Sequence, residues 1–203
     1  MLTGQGRAFC GGLDLVSIYE YDRPTMGRFV DAFDGMFRRV FASPKPVVAA
    51  INGHAIAGGC VLAMAADHRV IAPGEHRIGL NEVLLGIPFP AAALEISRSA
   101  TPPAAQGAVL LQGLRLSPEE AARLGVVHRL SGERGVVAAA IEEALLFAKG
   151  DPAAVQATKA DLRGPVLDRI DATAAARRER FLDRWFSPEA RARIGAVRDD
   201  LLR

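Results

Sequence analysis

Hydrophobic positions along this chain fall into two regimes. Up to about residue 132, short apolar runs alternate with breaks that carry glycine and proline; after it, apolar residues recur at helical spacing. Phe29, Val30, Phe33, Met36, Phe37, Val40 and Phe41 mark one face of a helix over 25–41, a stripe of the kind that builds a core, and Pro44 and Pro46 end it. "VVAAI" (47–51) is short and begins with β-branched residues, which predicts a buried strand. "NGHAIAGG" (52–59) predicts a loop and "GCVLAMAAD" (59–67) a helix. The apolar stretch 51–67 is therefore read as strand, turn and helix. A membrane span would need roughly 20 uninterrupted apolar residues, and Asn52, His54 and the glycines interrupt this one. "HRVIA" and "RIGL" predict two strands about a turn, "PGEH". Residues 90–113 are alanine-rich and helical in pattern. "SPEEAARLG" predicts a helix with Ser117 as N-cap, Glu120 closing a capping box and Gly125 as the stop. "VVHRL" predicts a last strand, and helices are expected over 133–149, 152–162, 166–184 and 187–202. Residues 1–13 look like a strand end entering a glycine-rich loop. The layout predicts an α/β core over 1–132 and an all-helical region over 133–203.

Composition narrows the function classes. Half the residues are hydrophobic and 24% are charged, as in a globular protein with a sizeable core. The net charge of +2 is mild and evenly spread, which argues against a nucleic-acid partner. Two cysteines, Cys10 and Cys60, make no disulfide framework and read as small buried residues in a reducing compartment. No cationic stretch followed by an apolar one opens the sequence, so a cytoplasmic protein without a membrane partner is expected.

The candidate chemistry lies in the loops. "AFCGGLDL" and "AIAGGCVLAM" each carry glycines ahead of a helix, but neither has the spacing of a P-loop or a dinucleotide fingerprint. Two such loops can aim two backbone N–H groups at one oxygen, which stabilises charge that appears only in a transition state. Glu82 stands among Leu80, Val83, Leu84 and Leu85. Facing inward it would be desolvated, and its pKa raised toward that of a general base; a glutamate at such a junction is more commonly exposed or capping. His54, His68, His76 and His128 show no metal-ligand spacing, so no metal is expected. Asp14 reads as an N-cap.

The segments "LTGQGRAFCGGLDL" (2–15), "PKPVVAAINGHAIAGGCVLAMAADHRVIA" (44–72), "IGLNEVLLGI" (78–87) and "LSPEEAARLGVVHRL" (116–130) carry a resemblance in this order. The chain resembles the crotonase (enoyl-CoA hydratase/isomerase) superfamily. The resemblance implies a ββα spiral core with a C-terminal helical region for oligomerisation, as a homotrimer or hexamer. Family members have further strands and a helix ahead of the first segment, so the N-terminal part of that fold is expected to be absent here. It implies an acyl-CoA thioester as substrate, with coenzyme A as part of the substrate and no separate cofactor. The amides of Cys10 and Gly58 would form the oxyanion hole, Gly58 being the middle residue of an Ala57-Gly58-Gly59 run. Ala8 and Leu13 would line the coenzyme A site. Hydratases of the family use two glutamates: Val61 stands at the first position and Glu82 matches the second. The acid that dienoyl-CoA isomerases and aryl-CoA dehalogenases use falls on Ala91–Ala93. A single glutamate points to a Δ3-Δ2-enoyl-CoA isomerase. The alternatives are a hydratase that recruits another acid, or a non-catalytic acyl-CoA-binding member.

Overall fold

Successive passes of the chain each lay one strand into each of two sheets. The computed structural model describes residues 1–203. The first pass supplies β1 (Leu2–Thr3) and β2 (Ala8–Cys10), then α1 (Leu15–Ile18) and α2 (Arg23–Phe41). The second supplies β3 (Val48–Ile51), β4 (His54–Ile56) and α3 (Gly58–Met64). The third supplies β5 (His68–Ile71), β6 (Ile78–Gly79), a 3-10 turn over Glu82–Leu85 and α4 (Ala91–Ala100). A 3-10 turn (Pro103–Ala105) and a π-helical turn (Gly107–Leu111) lead to β7 (Arg115–Leu116), α5 (Pro118–Arg123) and β8 (Arg129–Leu130). One sheet runs β1-β3-β5-β8, all parallel. The other runs β2-β4-β6-β7, antiparallel only at β6–β7. This is the expected α/β spiral. A helical region follows: α6 (Val136–Phe147), α7 (Pro152–Trp185) and α8 (Pro188–Leu201). No helix is long and apolar enough to cross a membrane.

The strand β3 shows why the centre reads as an unbroken apolar run. Alternate residues of a strand face opposite sides, and both sides are covered here. Ala49 and Ile51 face the main core, whereas Val48 and Ala50 pack with Val136, Ala139 and Ala140 of α6. The helix α2 starts on an N-cap at Asp22, whose side chain accepts from the Thr25 amide. It buries Met26, Val30, Phe37 and Phe41, the face its spacing predicts. Ser117 and Glu120 form the predicted capping box, and Asp14 caps α1 through the amides of Val16 and Ser17.

Several expectations need correction. The stretch 52–59 is not all loop: it contains β4, which pairs with both β2 and β6. The strand β7 has no signature in the sequence, because two residues carry no periodicity. The helical stretch 90–113 divides at Pro102 and Pro103 into α4, a tighter 3-10 turn (Pro103–Ala105) and a wider π-helical turn (Gly107–Leu111). The two helices expected over 152–162 and 166–184 are one helix, α7, which runs through Pro165. Pro165 is exposed, so its ring sits on the solvent side. Lys159, Val166, Ile170, Phe181 and Trp185 continue one buried stripe across it, and packing against α2 and α4 outweighs the local break.

Two ionic hubs tie α7 to the spiral. Asp67 accepts from Lys159 at 2.6 Å and Arg163 at 2.8 Å. Glu95 of α4, 1% exposed, meets Arg177 at 3.0 Å, Arg169 at 3.1 Å and also Arg98. A third contact joins α2 to α4. The Asp34 carboxylate accepts from the amides of Ala92 and Ala93 at 2.8 and 3.2 Å, capping a helix whose own N-cap residue is Pro90.

Candidate active site

The strands β2, β4 and β6 run parallel in one sheet, so their C-terminal ends reach the same edge. Cys10, Gly11 and Gly12 leave the first, Ala57 and Gly58 the second, and Leu80, Asn81 and Glu82 the third. Pairing sets them side by side: Cys10 stands opposite Ala55, Ile56 opposite Gly79, and the Ala57 amide donates to the Gly79 carbonyl at 2.8 Å.

The glycines answer to steric demand. A Cβ on Gly59 would stand 2.0 Å from the Cys10 carbonyl oxygen, and one on Gly58 would stand 2.7 Å from the Phe33 ring. Gly12 adopts φ +96°, and a Cβ there would lie 2.9 Å from the Ile56 carbonyl oxygen. The first two loops are therefore packed backbone against backbone. Gly58 opens α3, and the N–H of a first helical residue has no carbonyl partner within the helix. Ala57, just before it, has φ 51° and ψ −123°, and is the chain's only non-glycine residue at positive φ. That conformation is strained for a residue with a Cβ.

A cavity of about 250 Å³ opens at this edge. Leu13, Gly58 and Glu82 line it, with Gly11 and Asn81. Cys10 and Ala8 are not lining residues: Cys10 precedes Gly11 at the rim, and Ala8 lies further back on β2, opposite His54. Glu82 is the cavity's one carboxylate and is 9% exposed. Burial pushes its pKa up to about 7, countered only in part by a hydrogen bond from its own backbone. Its Oε2 and the Oδ1 of Asn81 are buried without a hydrogen-bond partner. Two orphaned acceptors in one cavity mark a place for a polar ligand atom. Val61 is fully buried in α3, and Ala93 stands on the cavity wall. Of the histidines, His68 and His128 stack at 4.2 Å and His54 contacts His76, and none lines the cavity.

Residues 1–193 match the family described as Enoyl-CoA hydratase/isomerase. The chain belongs to that family. The chain is 35% identical over 162 residues to a Thermus thermophilus protein that carries a provisional enoyl-CoA hydratase name; the match covers 78% of this chain and 63% of that protein. It is 36% identical over 161 residues to the carnitinyl-CoA dehydratase of Proteus mirabilis, covering 78% of this chain and 60% of the relative. The matched part thus spans 60–63% of these curated relatives' own length. The fold also matches the human mitochondrial delta3-delta2-enoyl-CoA isomerase structure with a TM-score of 0.90 at 27% identity, over 98% of this chain and 78% of that one.

Some cavity residues of this enoyl-CoA hydratase/isomerase family member were not found from sequence. Phe33 belongs to the core stripe that the spacing of α2 predicts, yet its ring also lines the cavity and rests against Gly58. Phe181, Val197 and Leu201 reach the same cavity from α7 and α8. Long-range folding puts them there, and no local pattern carries that signal. Arg193 of α8 donates to the Leu84 carbonyl at 3.2 Å, and Tyr19 lies between Arg191 and Arg198 at 3.4 and 4.1 Å from its ring centre. The helix thereby touches both the turn that carries Glu82 and the segment that follows the first glycine loop.

Proposed function

We propose that the protein is a Δ3-Δ2-enoyl-CoA isomerase with Glu82 as its single base. The observation that carries this reading is that Glu82 is the only carboxylate lining the cavity, buried and with an unpartnered oxygen. A pKa near 7 suits a group that must both take and return a proton. In this mechanism the thioester oxygen of a 3-enoyl-CoA accepts from the amides of Cys10 and Gly58. The Glu82 carboxylate removes a proton from C2, and the electron pair spreads through the dienolate onto that oxygen. The protonated Glu82 then delivers the proton to C4, which leaves the double bond between C2 and C3. Charge on the oxygen develops only along the reaction, so fixed amide donors lower the barrier more than they tighten substrate binding. Leu13 and Ala8 are assigned to the coenzyme A site, with Leu13 on the cavity wall. The protein is further proposed to be cytoplasmic, and to assemble as a homotrimer or hexamer through residues 133–203.

A second reading follows from the relatives. The Proteus mirabilis protein is named a carnitinyl-CoA dehydratase, so addition or loss of water at an enoyl-CoA is the rival chemistry. The test incubates the protein with 3-hexenoyl-CoA and, separately, with 2-hexenoyl-CoA, using Glu82→Gln as control. A rise in 2-enoyl absorbance from the first substrate that is lost in the variant supports the isomerase. Hydration of the second substrate in its place would replace that reading with the hydratase. Turnover of neither, with acyl-CoA still bound, would make the protein a non-catalytic binder.

A further inference from the structure

A second apolar cavity of about 370 Å³ abuts the Glu82–Leu85 turn. Val83 faces it, whereas Glu82 and Leu85 line the first cavity. Its walls include Phe89, Leu94 and Leu110, and its size is that of a small-molecule site. Two cations, Arg177 and Arg180, line it from one face of α7, and no carboxylate does.

The charge balance behind the wall favours an anion. Arg177 shares the Glu95 carboxylate with Arg98 and Arg169. Asp34, which also feels the charge of Arg177, already accepts from the amides that open α4. Arg180 is exposed and makes no ion pair. Glu95 therefore serves three guanidiniums, and Arg180 is left without a carboxylate partner. A guanidinium presents donors in a planar fork that fits a carboxylate, and the rest of the slot accepts only apolar material. We propose that this cavity is a second ligand site for a medium-chain alkyl carboxylate. The chain lies among Val83, Phe89, Leu94 and Leu110, and the carboxylate meets Arg177 and Arg180. The ligand thereby rests against the residue next to Glu82.

The test titrates the purified full chain with sodium octanoate, by calorimetry and by thermal shift. Acetate carries the head group alone and 1-octanol the tail alone. Octanoate is expected to bind and to raise the Tm, with both controls at least tenfold weaker. Arg180→Glu alters an exposed, unpaired residue, and Leu111→Glu alters one 77% exposed at the cavity lining, so both variants are expected to fold. Arg180→Glu removes a charge-assisted contact and Leu111→Glu sets a carboxylate into the apolar wall, so each should weaken octanoate binding about tenfold or more. Glu82→Gln should leave it unchanged. Three results would overturn the site: no octanoate binding by either method, octanol binding as tightly as octanoate, or binding indifferent to Arg180→Glu.

Discussion

Glu82 holds its carboxylate where the fold least accommodates a charge. Its pKa is about 7 in the folded chain against an ordinary 4.5. The folded state therefore binds the proton more tightly than the unfolded chain does. The destabilisation is absent below pH 4.5, grows between pH 4.5 and 7, and is complete above, where it amounts to about 3 kcal/mol. Glu82→Gln should accordingly raise stability at pH 8 by up to that amount and change it little at pH 4, as read by urea melts at the two pH values. On the proposed mechanism the same substitution should lower conversion of 3-hexenoyl-CoA by about 10²- to 10⁴-fold. Turnover of the unsubstituted protein should rise through pH 7 to a plateau as the carboxylate ionises. The sequence made Glu82 legible as an acid among apolar neighbours. It did not make legible the empty space around it, since Phe181, Val197 and Leu201 arrive from more than ninety residues away. Ala57 offers a second test at this scale. Its φ of 51° suits glycine, so Ala57→Gly should stabilise the fold by about 1 kcal/mol despite the added freedom of the unfolded chain. A melt in which Ala57→Gly is less stable would show that the Cβ makes contacts worth more than the strain.

The elements that were legible are those whose own periodicity or caps define them. The spacing of the α2 stripe and the capping box of α5 each specify a helix from within a few turns. The strands β6 and β7 span two residues each and exist only through their partners. The helix α7 is the reverse case: a local breaker, Pro165, is overridden by a stripe that docks along two other helices. Pro165 still leaves one backbone carbonyl without its helical donor. Pro165→Ala should restore that bond and raise stability by about 1–3 kcal/mol, after allowance for the extra freedom of the unfolded chain. Denaturant midpoints of the two proteins at matched slopes would measure this. An unchanged or lower midpoint would mean that the fixed backbone of Pro165 contributes as much as the missing bond costs.

At the scale of the whole molecule, residues 1–132 and 133–203 read as two regions, yet their contacts interlock. One nine-residue cluster draws Ile18, Met26 and Val30 from the spiral together with Phe181, Trp185 and Ile194 from α7 and α8. Trp185, the only tryptophan, is fully buried within it and reports on that junction. Unfolding followed by Trp185 fluorescence should coincide with unfolding followed by far-ultraviolet circular dichroism. Separate transitions would divide the chain into independent units. Glu95 is the ionic counterpart of this junction. Glu95→Gln leaves Arg98, Arg169 and Arg177 facing one another around a buried amide, and should cost about 3–5 kcal/mol. That is a large share of the 5–15 kcal/mol that holds a typical domain folded. A loss below about 1 kcal/mol would mean that solvent screens the cluster.

The close packing of the glycine loops also sets where this scaffold can change by mutation. Gly12, Gly58 and Gly59 each abut backbone or a ring, so the genetic code offers them no neighbour that fits. The opposite wall is built from side chains such as Leu85 and Ala93, which other residues can replace. A library selected for new reactions should therefore return near-blank columns at the three glycines and accumulate its accepted changes across the cavity, around Glu82. The glycine-lined half of the cavity is inherited whole, and the side-chain wall around Glu82 is open to revision.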